Sequence, residues 1–367
     1  MPPMQRIAFV LTLALLVGCA PRASIVIVPD AASGGAIESV FVASNRVYDG
    51  SRFTSDRLEG LGFTRFDVAI PPNREVGEVN WPRGEVDLEA DFVVSQAGSF
   101  ADAAAFRRGL RAAVAAQPEN EREVMVFVHG FNNTFADGLF RTAQIRNDFE
   151  IPGVALHYAW PSLSSPFGYA YDRDSALFAR DGLEQFLREI AAAGSHDIVI
   201  VAHSVGSELV MEALRQLRIG GADHVLNRIS GVVLMSPDID VQVFRSQAMR
   251  ILPLPEPFFI FTSQRDRALR LSARISGQPA RLGNIGTIDD VAEFNVTLVD
   301  VSEFRGGDRD ALNHNTVVTS PAMIRLLSRV DSINSAFEGQ ENSPIGLLPG
   351  TILTLQNATQ VILTPNL

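Results

Sequence analysis

Short β-branched runs alternate with longer amphipathic stretches along most of this 367-residue chain. That alternation constrains the fold more than any other feature, because each strand followed by a helical crossover places the next strand parallel to it. The runs predict strands near 38–43, 65–70, 124–129, 153–159, 197–203, 231–236, 257–262 and 294–301. Between them the helical period is clear, as in Leu183, Phe186, Leu187 and Ile190, and again in Met323, Leu326, Leu327 and Val330. The pattern implies an α/β chain with a mostly parallel, eight-stranded sheet flanked by helices on both faces. With 46% hydrophobic residues the chain can fill one large core, and a single domain over 37–340 is the expectation. Residues 72–90, rich in Pro, Gly and acids, read as an irregular surface loop.

The two ends read differently. Arg6 precedes an apolar run from Ile7 to Val17, too short to span a bilayer comfortably, and small residues follow, the layout of a secretory signal over 1–18. Leu16, Val17, Gly18 and Cys19 resemble the lipobox of bacterial lipoproteins, in which the cysteine becomes the lipid-bearing first residue. That resemblance implies a membrane partner through lipidated Cys19 and a place in the cell envelope, with Ala20 pointing to the outer membrane if the source has two. A tether is expected over 19–36. Cys19 is the only cysteine, so the chain has no internal disulfide, cysteine metal site or thiol nucleophile. From 341 to 367 the chain is uncharged after Glu341 and reads either as a hairpin packed on the domain or as an exposed tail. A net charge of -11 without a basic patch excludes nucleic acid as a partner.

The chemistry gathers at "VAHSVG", where a strand runs through Ala202 and His203 into Ser204, Val205 and Gly206 and then straight into a helix. A strand ending in small-x-Ser-x-Gly is a nucleophile elbow, and its flanking residues are small because the turn is tight. Such a turn lifts the hydroxyl above the carboxyl edge of the sheet, where open α/β sheets bind ligands. Upstream, "VFVHGFNN" ends a strand in a glycine-bearing turn. The N–H groups of Phe131 and Val205 are then the expected oxyanion donors, with Asn132 either fixing the turn or adding a donor. His203 is a candidate contact beside the serine.

A nucleophilic serine needs a base and an acid. Of the six histidines only His314 lies beyond the last strand, in "GGDRDALNHN", which makes it the candidate base. For the acid there are rivals. Asp266, in "SQRDRAL", follows the second strand after the elbow, and Asp238 and Asp240, in "SPDID", follow the first. Asp266 is preferred by position, although it also opens a helix and reads as an N-cap. The pairs Asp172/Asp174 and Asp308/Asp310 fall short of a calcium sphere and read as solvated loop acids. No metal or other cofactor is implied.

Taken together, "VFVASNR", "VAIPPNREVGEVNWP", "VFVHGFNN", "YAWPS", "AHSVG", "SPDID" and "SQRDRAL" resemble bacterial α/β-hydrolases of the esterase/lipase superfamily, in a group long described as of unknown function. The resemblance covers most of 38–330. It implies an α/β-hydrolase fold and a serine hydrolase acting on small-molecule carboxylic esters through Ser204, Asp266 and His314, with an amidase or peptidase on the same residues, or a non-catalytic envelope lipoprotein, as alternatives. Trp160 either walls an acyl pocket or belongs to the core. The short link between strands 231–236 and 257–262, where many lipases insert a lid, predicts an open site for short soluble esters.

Overall fold

The computed structural model describes residues 22–33, 35–195, 197–278, 280–307, 310–327 and 350–364. The signal segment and Cys19 lie outside these residues, as do His196, Asp308 and Val330. The strands are β1 (Ala36–Tyr48), β2 (Phe53–Ile70), β3 (Val93–Ser99), β4 (Val124–Val128), β5 (Val154–Ala159), β6 (Ile198–His203), β7 (Ile229–Met235), β8 (Phe258–Thr262), β9 (Thr297–Asp300), β10 (Gly350–Leu355) and β11 (Ala358–Leu363). They form one sheet in the order β10-β11-β9-β8-β7-β6-β4-β5-β1-β2-β3. The eight strands from β11 to β1 in that order run parallel, and β10, β2 and β3 add antiparallel pairs at the edges. All eight strands expected from the sequence are present, but the sheet is wider than expected: β3, β10 and β11 bring it to eleven strands.

Longer helices cover the sheet: α1 (Ala103–Ala115), α2 (Phe135–Asp148), α3 (Tyr169–Ala192), α4 (Val205–Ile219), α5 (Val241–Ile251) and α6 (Arg267–Ile275). Alternate residues of each strand point to opposite faces. Val126, Ile200, Leu234 and Ile260 therefore pack with Leu183, Phe186 and Leu209 from α3 and α4, while Phe127, Val201, Val233 and Phe261 pack on the other face with Leu139 and Phe140 from α2. Every residue of β4 and β6 is buried, which is why their sequences carry no polar alternation.

Both termini of the described chain are part of this body. The uncharged C-terminal stretch takes the first of its two readings: β10 and β11 make a hairpin, β11 pairs with β9, and Val361 and Leu363 are buried. Near the other end the free tether expected over 19–36 is not found from Arg22 onward. Val28 N–H donates to Val94 O (2.8 Å), Val94 N–H donates to Val26 O (3.0 Å), and Ala23 is buried. Residues 72–90 are irregular, as expected.

The chain builds β4, then β5 on one side, and then crosses to place β6 on the other side of β4. That reversal opens a crevice over the carboxyl ends of β4 and β6.

Candidate active site

Ser204 sits above that crevice with φ 54° and ψ −124°, a left-handed backbone that a serine adopts only at a cost of about 1–3 kcal/mol. The surroundings hold it there. Its N–H donates to Met235 O (3.0 Å), and its carbonyl accepts from Asp238 N–H (3.2 Å). Two glycines make room: a Cβ on Gly206 would lie 2.4 Å from His129 O, and one on Gly130 would lie 2.7 Å from His203 Nδ1 and 2.8 Å from Ser204 Cβ. The elbow and the "HGFNN" turn are thus pressed together, and α4 starts at Val205 directly beneath the serine.

His314 lines the same cleft as Ser204. Its Nδ1 lies 2.7 Å from Asp266 Oδ2. Asp266 is fully buried, and its other oxygen accepts from Leu269 N–H (2.9 Å), so it is the N-cap of α6 while it faces His314. Burial pushes the His314 pKa down, but the charge and hydrogen bond of Asp266, with Asp238 and Asp310 behind them, more than offset this and raise it above its ordinary 6.5.

Two further residues fix the imidazole's backbone. Asp310 accepts from His314 N–H and Asn315 N–H (both 2.9 Å), and His203 Nε2 lies 3.0 Å from His314 O. Burial and the nearby His314 depress His203 to about 3, so it is a neutral ring, and the hydrogen bond it makes is to the His314 loop.

The rival acids are occupied elsewhere. Asp238 Oδ1 pairs with Arg281 Nε (3.0 Å) and accepts from Ser272 Oγ (2.6 Å), while Oδ2 accepts from Tyr169 OH (3.0 Å). Both members of this ion pair are buried, and Asp238, Tyr169 and Ser272 line the cleft. Asp240 caps α5, accepting from Gln242 and Val243 N–H groups.

The turn after β4 is held from below by Asp172. Fully buried in the first turn of α3, its carboxylate accepts from Asn132 N–H (3.0 Å), Ser162 Oγ (2.6 Å) and Leu163 N–H (2.6 Å). The solvated-acid reading is therefore corrected for Asp172, although Asp174 is exposed. Asp310 likewise is a loop organiser. Buried Arg46 donates to Asn133 O (2.9 Å) and Ser162 O (3.1 Å) from the same side. Asn133 closes the turn through its carboxamide, which donates to Phe131 O (2.8 Å) and Gly130 O (3.2 Å). Asn132, in the left-handed region at φ 61°, spends its N–H on Asp172 and its side-chain oxygen on Arg22. Among the described residues no protein acceptor takes the Phe131 or Val205 N–H.

Trp160 belongs to the core, not to an acyl pocket. It is fully buried, stacks on His129 at 4.8 Å, donates its indole N–H to His129 O (2.7 Å), and does not line the cleft. The tryptophan at the cleft is Trp81, from the irregular loop, together with Glu78 and Val79. The cleft has a volume of about 600 Å³, and Ser204, His314, Phe131, Tyr169, Leu271 and Ile275 are among its lining residues. Among the described residues no three His, Cys, Asp or Glu side chains gather as a metal site.

A search of curated proteins finds no match. Among solved structures, the chain is similar at 11% identity to a fungal esterase from Rhizomucor miehei, over 80% of this chain and 85% of that one, with a TM-score of 0.31. An esterase from Pyrococcus furiosus is similar at 11% identity, over 77% and 87% of the two chains, with a TM-score of 0.31. Residues 103–330, which carry the elbow, Asp266 and His314, match a family as a whole, and the chain belongs to that family, described as alpha/beta hydrolase of unknown function (DUF900).

Proposed function

We propose that this α/β-hydrolase is a serine hydrolase that cleaves carboxylic esters through an acyl-enzyme. The observation that carries the reading is the 2.7 Å contact between His314 Nδ1 and buried Asp266, made in the cleft that Ser204 enters from a strained elbow. In the first half-reaction His314 Nε2 takes the Ser204 proton as Oγ bonds to the ester carbonyl carbon. The carbonyl π electrons move to oxygen, and that oxyanion is met by the N–H groups of Phe131 and Val205. Collapse expels the alcohol, which leaves with the proton held on His314. Water then repeats the sequence on the acyl-enzyme, releasing the acid and restoring Ser204. Asp266 holds Nδ1–H in place and stabilises the imidazolium formed on the way.

The raised His314 pKa favours proton uptake from serine, at the cost of requiring a pH above that value for the resting base. We further propose that Cys19 carries the lipid and that the protein is anchored in the cell envelope, a reading supported by the lipobox residues. The catalytic proposal is tested by ester turnover in Ser204→Ala, His314→Ala and the double variant. Each single change should remove several orders of magnitude, and the double should be hardly worse, because the residues act as a unit. Additive losses would contradict it.

A further inference from the structure

The N-terminal segment enters the fold at the mouth of the Ser204 cleft. Arg22 lines that cleft, donating to Asn132 Oδ1 and to Ser164 O (2.6 Å), and Thr134 Oγ1 donates to Ala23 O (3.2 Å). Arg22 is three residues from Cys19. Three residues, fully extended, reach about 10 Å. A lipid on Cys19 therefore brings this edge of the sheet to the bilayer, and the opposite edge, where α4 ends, faces away.

The surface around the mouth has a matching character. Leu271, Ile275 and Leu312 line the cleft and yet are 56%, 63% and 51% exposed, and Phe167, next to cleft residue Pro166, is 94% exposed. On α6, Leu271 and Ile275 stand one turn apart, and Arg267, Arg270 and Arg274 are exposed on the same helix, which holds no acid. Among the described residues none of these three arginines is in a salt bridge. Exposed Leu and Ile flanked by Arg, on a chain of net charge -11, suit an interface of acyl chains beneath anionic headgroups.

We infer that the mouth of the Ser204 cleft docks on the surface of an anionic phospholipid bilayer, with Phe167, Leu271, Ile275 and Leu312 entering the interface and the α6 arginines meeting headgroup phosphates. Ser204 then receives acyl esters from the bilayer, in place of the short soluble esters that the short link between β7 and β8 suggested. This inference rests on the proposed lipidation of Cys19.

Because Cys19 is the only cysteine, its acylation leaves an introduced Leu271→Cys as the one thiol open to an environment-sensitive fluorophore. The full-length lipidated protein is reconstituted in phosphatidylglycerol/phosphatidylethanolamine vesicles holding a quencher-bearing phospholipid, with Ile219→Cys at the end of α4 as the reference site. The label at 271 should lose most of its emission to the lipid quencher and resist aqueous iodide, and the label at 219 should do the reverse. Arg274→Glu, outside the cleft lining, should lower hydrolysis of a vesicle-embedded ester about tenfold while a soluble ester is turned over as before. Equal quenching at 271 and 219, with acyl mass present on the Cys19 peptide, overturns the docking alone. Absence of acyl mass from that peptide overturns the anchored reading and the inference with it.

Discussion

Replacing Asp266 by Asn separates the two jobs that its carboxylate performs. One oxygen faces His314 Nδ1 at 2.7 Å and the other accepts the Leu269 N–H at 2.9 Å, so an amide of the same shape must give its single carbonyl oxygen to one of them. Given to Leu269, it keeps the α6 cap and turns the NH₂ toward Nδ1, which forces the proton onto Nε2 and disables the base. The loss then reaches about 10⁴-fold in turnover, equivalent to about 5 kcal/mol of transition-state stabilisation. Stability should change far less, by about 1 kcal/mol from the lost charge at the helix N-terminus.

The comparison variant is Asp238→Asn. It unpairs buried Arg281, which should cost about 3–5 kcal/mol of stability while each folded molecule keeps substantial turnover. Initial rates with a chromogenic ester, normalised to active fraction, and urea denaturation of the same samples measure both quantities. Near-normal turnover in Asp266→Asn, with collapse per folded molecule in Asp238→Asn, would refute the assignment of Asp266 as the partner of His314.

The raised His314 pKa gives a pH prediction: the base is protonated and silent below that value, so kcat/KM should climb through an acid limb lying above pH 6.5, and in Asp266→Asn the residual limb should move to lower pH. Asp172→Ala strips the acceptor from two N–H groups and a hydroxyl beneath the turn after β4. It should destabilise the fold by about 3 kcal/mol or more and depress kcat, both read by denaturation and steady-state kinetics. Gly130→Ala places a methyl within 2.8 Å of Ser204 Cβ and His203 Nδ1, so soluble protein without measurable turnover is expected. Deleting residues 350–364 uncovers β9 as a bare parallel edge, and light scattering should report aggregation that the intact chain does not show.

How much of this was legible from the sequence depends on where each residue's surroundings come from. The central strands were readable because burial on both faces leaves unbroken runs such as Val124–Val128, and the elbow was readable because its constraints are local. Edge strand β3 was not, since most of its residues after Val94 are only partly buried or exposed and it carries neither pattern clearly. In the hairpin β10–β11, apolar β-branched composition fits a packed strand and an exposed tail equally well, and only the pairing with β9 decides. The buried polar set was the least visible. Asp172, Arg46 and Arg281 look like ordinary surface charges in their own segments. Their burial is created by segments arriving from 40 to 112 positions away. A local signal did exist at Asp310, four residues before His314 in a turn-rich loop, the spacing from which an aspartate can accept from the histidine's own N–H.

The proposed chemistry requires Ser204 to be the nucleophile. Treatment of the full-length protein with a fluorophosphonate probe, followed by intact mass and peptide mapping, tests it most directly. One adduct per chain is expected, on Ser204, formed far more slowly in His314→Ala. A folded protein that takes no adduct, or takes it on another residue with Ser204 unmodified, would contradict it.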